Sequence, residues 1–273
     1  MSVITSQDRE RFSEQGYLVV PGVVNAELCR RVIEAICEFV GADLQDPSTW
    51  YRRPNHGHGI VPLHHEPRLW QVRELPSIYD AFRQLYDCED LWVTMDRVSF
   101  KPPPRKGDAP FRPSPLHWDC DPRNFHRLGI QGLVYLTDTA EDRGAFACVP
   151  ELFRDLQAWL ADHAEDDDIR HPDIGERELV SVGGPAGSLV LWHRLMPHTS
   201  TRNDSTDPRF VQYVAMRPAG DETERAMRLR DFRERSAPAW ALRQHVHGHI
   251  NPEPWKPIEL SALGRKLVGL DQW

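Results

Sequence analysis

Glu178-Leu-Val-Ser-Val182, Gly183-Gly-Pro-Ala-Gly187, Ser188-Leu-Val-Leu-Trp192 and, after the turn Asn203-Asp-Ser-Thr-Asp-Pro208, Phe210-Val-Gln-Tyr-Val-Ala-Met216 form the stretch that decides the fold. Short β-branched and aromatic runs alternate here with clusters of Gly, Pro, Asn and Asp, the punctuation of a strand-rich region. The same character reaches backwards. Leu91–Phe100 alternates like a strand until Pro102-Pro-Pro104 ends it, and Leu116–Asp119, Ile130–Leu136 and Ala145–Val149 read as further strands. One helical excursion, Glu151–His163, runs into the acidic stretch Glu165–Asp168. Several short strands joined by Gly/Pro turns indicate a sandwich, a jelly roll or a barrel.

Outward from this core the pattern turns helical. Thr5 and Gly16 bracket a helix over Thr5–Gln15, and Tyr17–Val20 reads as a strand. Asn25 caps a helix in which Leu28, Val32, Ile36 and Phe39-Val40 recur at helical spacing before Gly41. Residues 45–65 show no period and read as a long loop, followed by a helix near Ile78–Tyr86. The tail reads as helix (Asp221–Arg235), loop and helix (Ser261–Val268). The expected organisation is one domain over residues 1–273, mainly β with flanking helices. Residues 1–90 form N-terminal helical dressing, 91–217 the β core, and 218–273 a helical and loop extension.

The 273 residues carry 33 Lys+Arg against 41 Asp+Glu, a formal charge of −8. That balance disfavours a general nucleic-acid binder, whose affinity comes from neutralising phosphates. No apolar run approaches the roughly 20 residues that span a bilayer. The first ten residues contain no apolar export signal, and the five dispersed cysteines include no CxxC pair. The expected setting is cytoplasmic, with reduced thiols, no membrane and a small-molecule substrate as partner. Nucleophile-elbow, dinucleotide and P-loop signatures are absent, and His65-Glu66 lacks the second histidine of a zinc-protease helix.

Thirteen histidines remain to be explained. On a strand, residues two apart share a face, so His117 and Asp119 of His117-Trp-Asp119 can offer an imidazole and a carboxylate to one point. An HxD pair alone arises often by chance. A third ligand is needed, and His198 in Leu195-Met-Pro-His-Thr-Ser200 is the best candidate. Two histidines and one carboxylate on one face of a metal leave the other face open, the arrangement of non-haem Fe(II) oxygenases. Arg209 follows His198 by 11 residues (209 − 198), across a turn, and offers a planar fork for a carboxylate.

These residues resemble the phytanoyl-CoA dioxygenase-like family of Fe(II)/2-oxoglutarate oxygenases. His117-Trp-Asp119, Gly187 to Ser200, Asn203, Arg209-Phe-Val-Gln-Tyr213, Arg11 to Gly22 and Tyr135 to Gly144 carry the resemblance, which covers roughly residues 8–217. It implies a double-stranded β-helix (jelly-roll, cupin-like) core and Fe(II), 2-oxoglutarate and O₂ as the reacting set. It further implies metal ligands at His117, Asp119 and His198, and Arg209 on the distal carboxylate of 2-oxoglutarate. Ser200 and Gln131 look like further contacts to it. The implied reaction is oxidation, by default hydroxylation, of an unactivated C–H, with release of succinate and CO₂; the polar and aromatic residues around the motifs suit a polar small molecule as substrate, such as a specialised metabolite or sugar-bearing intermediate. Halogenating relatives replace the carboxylate ligand with a small residue, and Asp119 argues against that outcome. The competing reading is a cupin-like, non-oxidative metal or sugar binder, which would have no use for Arg209.

Other features have plainer readings. His193 is expected on one strand with His198 but on its opposite face, as a packed or hydrogen-bonded residue. His245, His247 and His249, like His56, His58, His64 and His65, read as solvated or pocket-lining. Arg97, Lys101, Arg105, Lys106 and Arg112, against the single Asp108, read as a solvated loop or as attraction for an anionic substrate. Trp118 adjoins the ligands and is a candidate to face substrate.

Overall fold

Thr5 and Asp8 close a reciprocal capping box, and Gly16 takes a left-handed φ of 75°, so α1 spans Ser6–Gln15. This geometry is that of a computed structural model, which describes residues 3–52, 59–105 and 115–273. β1 (Tyr17–Val20) follows, then α2 (Ala26–Val40), whose Asn25 cap accepts from the Leu28 amide. The 45–65 segment is not featureless: Pro47–Tyr51 forms a 3-10 turn and β2 (Ile60–Val61) joins a sheet. α3 (Pro67–Arg73), which opens on Pro67, has no counterpart in the sequence reading. At the first helical position the missing N–H of proline removes no bond. α4 (Pro76–Tyr86) comes next.

Two expected strands are each divided. The 91–100 stretch becomes β3 (Leu91–Val93) and β4 (Val98–Lys101). After β5 (Ile130–Tyr135), β6 (Phe146–Cys148) precedes a helical excursion that Asp155 breaks into α5 (Pro150–Arg154) and α6 (Leu156–Asp162). β7 (Val180–Val182), β8 (Leu189–His193) and β9 (His198–Ser200) follow. The 210–216 stretch becomes β10 (Arg209–Tyr213) and β11 (Met216–Pro218). The cause of both divisions is a change of partner: β3 pairs with β11, whereas β4 pairs with β10. Leu116–Asp119 is not a strand either; it makes one isolated bridge, His117 to His198. The tail carries α7 (Glu222–Glu234), α8 (Ala239–Leu242) and α9 (Ala262–Val268).

Among the described residues the larger sheet runs β1-β8-β5-β10-β4-β2, with β11 bridging β3 and β5, and the smaller runs β7-β6-β9. Every pairing is antiparallel. The N-terminal region therefore supplies two strands as well as helices. Alternation sorts the side chains of the larger sheet between two cores. Leu189, Leu191, Val134 and Phe210 pack outward with Val32, Ile36, Leu69 and Phe82 of the helices. Val190, Trp192, Leu133, Tyr135 and Val211 point inward, towards Phe146 and Cys148 of the smaller sheet. A third cluster, built on Trp118, Leu152, Trp159 and Ile169, is separate from both.

Leu191 is fully buried in the helix-backed core. Leu191→Ala should cost about 2–5 kcal/mol through lost transfer energy and the cavity left behind. Urea unfolding would measure this, and a loss below about 1 kcal/mol would contradict the packing described.

Candidate metal centre

One bridge builds the site. The His117 amide donates to the His198 carbonyl and the His198 amide to the His117 carbonyl, both at 3.0 Å. Directly opposed residues of an antiparallel pair project to the same side. The two imidazoles accordingly stand with ring centroids 4.7 Å apart. Trp118 turns the other way, its amide donating to the Arg170 carbonyl. Asp119 returns to the side of His117. His117, Asp119 and His198 thus offer three ligand atoms within 4.8 Å of one another, the one group of this kind among the described residues.

Each imidazole is oriented from behind. Nδ1 of His117 hydrogen-bonds the Pro115 carbonyl at 2.8 Å, and Nδ1 of His198 the Met196 carbonyl at 3.0 Å. A carbonyl can only accept, so Nδ1 carries the proton in both rings and Nε2 is left with its lone pair. These Nε2 atoms lie 3.6 and 3.7 Å from the two oxygens of Asp119. Gln131 donates its Nε2 to Asp119 Oδ2 and fixes the carboxylate in turn. Two imidazole lone pairs and a carboxylate, converging with their far sides already bonded, are the donor set of a divalent cation site.

The electrostatics agree. Burial would raise Asp119, but His117, His198 and Gln131 together hold its carboxyl far below the usual range. Burial opposes the charged form of His117, yet the Asp119 carboxylate outweighs it and the imidazole is raised. His198 lies deeper, and burial holds it low despite the same carboxylate. Its ring is enclosed by Trp192 and Phe146, with centroids at 5.2 and 5.8 Å.

Arg209 lies on the facing sheet, not beside the strand of His198 as its place in the sequence implied: β10 pairs with β4 and β5, and β9 with β6. It is 1% exposed, donates Nε to the Gly144 carbonyl and Nη1 to Ser99 Oγ, each at 2.8 Å, and has no carboxylate partner among the described residues. Gly144 is required here. It has φ 67°, and a Cβ would stand 2.8 Å from Lys101 Cδ. Opposite Arg209 in the register is Lys101, also buried, whose Nζ donates to Ser200 Oγ at 2.7 Å and to the Thr201 carbonyl at 3.0 Å. Burial, then the nearby guanidinium, push the Lys101 ammonium down to about 6.

The remaining sequence expectations are placed as follows. His193 ends β8 rather than sharing a strand with His198; its Nδ1 accepts from the Leu195 amide, and burial lowers it to about 4. Trp118 faces away from the ligands, buried in the third cluster with Nε1 donating to the Leu195 carbonyl. His64 and His65 are buried, His249 stacks on His64, and His245 and His247 are exposed. His56, His58, Lys106, Asp108 and Arg112 lie outside the described residues. Lys101 is the residue that the sequence reading misplaced, as part of a solvated run. The alternation of Ser99, Phe100 and Lys101 was the available signal: with Phe100 in the helix-backed core, its neighbours must face inward.

Comparison with known proteins accords with this architecture. The Ava biosynthesis cluster protein O of Aspergillus versicolor is 23% identical over 256 residues, covering 82% of this chain and 81% of its own. The non-heme α-ketoglutarate-dependent epimerase SnoN from nogalamycin biosynthesis shares 17% identity at a TM-score of 0.56, over 78% of this chain and 82% of that one. SnoN has also been solved with Fe3+, α-ketoglutarate and nogalamycin RO. GlcNAc Inducible Gene 2 of Candida albicans shares 14% identity at a TM-score of 0.71, over 100% of this chain and 78% of that one. The fold in common is a jelly-roll core with flanking helices. Residues 12–211 match the profile of the phytanoyl-CoA dioxygenase (PhyH) family, and the chain belongs to that family of Fe(II)- and 2-oxoglutarate-dependent oxygenases.

Proposed function

We propose that His117, Asp119 and His198 hold the iron, that Arg209 with Lys101 and Ser200 holds the distal carboxylate of 2-oxoglutarate, and that the protein hydroxylates a C–H of a polar small molecule. The observation that carries this reading is the convergence of two Nε2 lone pairs and one carboxylate, with a buried guanidinium on the facing sheet that has no carboxylate partner among the described residues. When bound, Fe(II) and 2-oxoglutarate supply the oxidising chemistry, consuming O₂ and releasing succinate and CO₂.

The chain's own part is to position and to desolvate. Ser200 is two residues from His198 on β9, so its hydroxyl lies on the same face about 7 Å along the strand. That is the reach of a five-carbon diacid with one end at the triad. Ser200 is hydrogen-bonded to Lys101, and Lys101 opposes Arg209, so two cations frame the far end of that span. A carboxylate buried there needs such partners, since an uncompensated buried charge is costly. The reciprocal gain is relief of the repulsion between Lys101 and Arg209. Gln131 keeps Asp119 in place, while its Oε1 remains without a partner. Among the described residues no helix is long and apolar enough to cross a membrane.

Anaerobic titration tests the assignment. Fe(II) and 2-oxoglutarate together should give a metal-to-ligand charge-transfer band, which a non-oxidative metal or sugar binder would lack. His198→Gln should lose stoichiometric Fe(II), whereas His193→Gln should keep it. The reverse pattern would exchange the two histidines. Arg209→Ala should raise the apparent KM for 2-oxoglutarate by roughly tenfold to a hundredfold, as hydrogen bonds to charged groups are worth about 1.5–3 kcal/mol. Its iron content should stay at the wild-type value, and Arg209→Lys should recover only part of the loss. Wild-type affinity for 2-oxoglutarate in Arg209→Ala would sink the co-substrate assignment.

A further inference from the structure

Arg97 immediately precedes β4 and follows the alternation of that strand. Tyr213 donates its amide to the Arg97 carbonyl at 3.1 Å, one step beyond the pairs Arg209–Lys101 and Val211–Ser99. Arg97, Ser99 and Lys101 therefore occupy successive inward positions, Arg97 about 7 Å beyond Ser99 along the strand. β5, which carries Gln131 and through it Asp119, lies two strand spacings away, about 10 Å. The adjacent Asp96 carboxylate feels the charge of both Arg97 and Asp119, which keeps this corner within electrostatic reach of the triad.

The guanidinium of Arg97 is in an unusual state. Nε and Nη1 are shut off from solvent and have no hydrogen-bond partner. Among the described residues no carboxylate forms an ion pair with it; Asp96 uses Oδ1 on the Arg97 backbone amide instead. One face of the guanidinium is covered by Trp240, 5.1 Å from the ring centroid. Beside it stand His64 and His249, both held low chiefly by burial and then by cationic neighbours that include Arg97. Nδ1 of His64 bonds the Met95 carbonyl, so its Nε2 is a buried acceptor that also lacks a partner. Orphaned buried donors and acceptors of this kind are costly, and their occurrence close together indicates that something else completes them.

We propose that Arg97 reads an anionic group, a carboxylate or a phosphate ester, on the substrate, at about 10 Å from the strand that positions Asp119. Trp240 pre-sets the plane of the fork, and the unpaired nitrogens supply the parallel donors that multi-oxygen anions accept. The neutral His64 acceptor beside it suits a hydroxyl on the same molecule. This inference rests on the oxygenase reading and names the substrate class of that site.

The test uses the full chain loaded with Fe(II) and 2-oxoglutarate. A small-molecule cell extract is separated on anion-exchange resin into retained and unretained pools, and succinate release is measured with each. The retained pool should stimulate release at least tenfold and the unretained pool should not. Phosphatase treatment of the retained pool then distinguishes a phosphate, whose stimulation is lost, from a carboxylate, whose stimulation survives. Arg97→Gln should need tenfold to a hundredfold more of the retained pool, and Arg97→Lys should recover part of this. Iron content and the charge-transfer band serve as the check that each variant is intact. Stimulation by the unretained pool alone, or an undiminished response in Arg97→Gln, would overturn the proposal; a residue that only staples Trp240 would leave the preference for anions in place. If neither pool stimulates, inorganic phosphate titrated anaerobically decides: perturbation of the band in wild type but not in Arg97→Gln supports the proposal, and no perturbation overturns it. Failure of the oxygenase reading looks different, because the wild-type band itself would be missing.

Discussion

A single reciprocal backbone bridge, His117 to His198, is the constraint on which the metal centre depends. Two hydrogen bonds fix two residues distant in sequence as an opposed antiparallel pair, and opposition alone sends both imidazoles to one side. The period of extended backbone then brings Asp119 to that side and sends Trp118 to the other. Three ligands on one face follow from that geometry without a dedicated strand. The third cluster, where Trp118 packs on Trp159 with centroids 5.4 Å apart, anchors the ligand segment from behind. The ligand segment is thus held on both sides, by the bridge to His198 and by the packing of Trp118.

The inner surface of the larger sheet is polar at both ends. Lys101 and Arg209 stand at one end, apolar Val211, Leu133 and Tyr135 in the middle, and Gln131, which holds Asp119, at the other with Arg97 nearby. Apolar walls between the charged groups sharpen their field, because little solvent lies there to screen it. A dicarboxylate with one end bound by cations and the other at a metal suits such a surface. The same low polarity explains why Tyr135 spends its hydroxyl on the Val182 carbonyl at 2.6 Å and the Phe146 amide at 2.8 Å. Those two bonds tie the sheets together across the interior and fix the separation of their inner faces.

The legible parts of the sequence were those set by local rules. Thr5, Gly16, Asn25 and Gly41 mark helix ends through bonds to residues three or four positions away. The convergence of His117, Asp119 and His198 was legible because the two-residue period of extended backbone puts His117 and Asp119 on one side. What escaped was set by partners distant in the chain. No property of residues 91–101 announces that β3 and β4 pair with different strands, and the matching break at residues 214–215 is equally silent. The turn between His193 and His198, which ends the expected shared strand, contains neither Gly nor Asn. It is held instead by the Met196 amide on the His193 carbonyl and the Leu195 amide on the His193 ring. Lys101 was misread because lysine near a proline-rich stretch resembles a loop until a partner strand encloses it.

The tail is attached to the core at a few buried polar points and leaves the candidate ligands untouched. Residues 235–256 lie beyond the matched region 12–211, yet they build the wall around Arg97 and His64. Their attachment is polar and buried. The Glu253 carboxylate accepts from the amides of His64 and His65, Arg235 donates to the His65 carbonyl at 2.8 Å, and Glu253 donates its own amide to the Arg235 carbonyl at 2.9 Å. Burial raises Glu253, while those two amides and the nearby guanidinium groups favour its ionised form. A different tail would have to satisfy the same two amides and one carbonyl or leave them stranded, so the anchor is constrained. Trp240 and His249 lie between the anchoring points and make no contact with the triad or Arg209 in the bonds described. Substitution there would change what surrounds Arg97 and His64 and leave the bridge between His117 and His198 as it is.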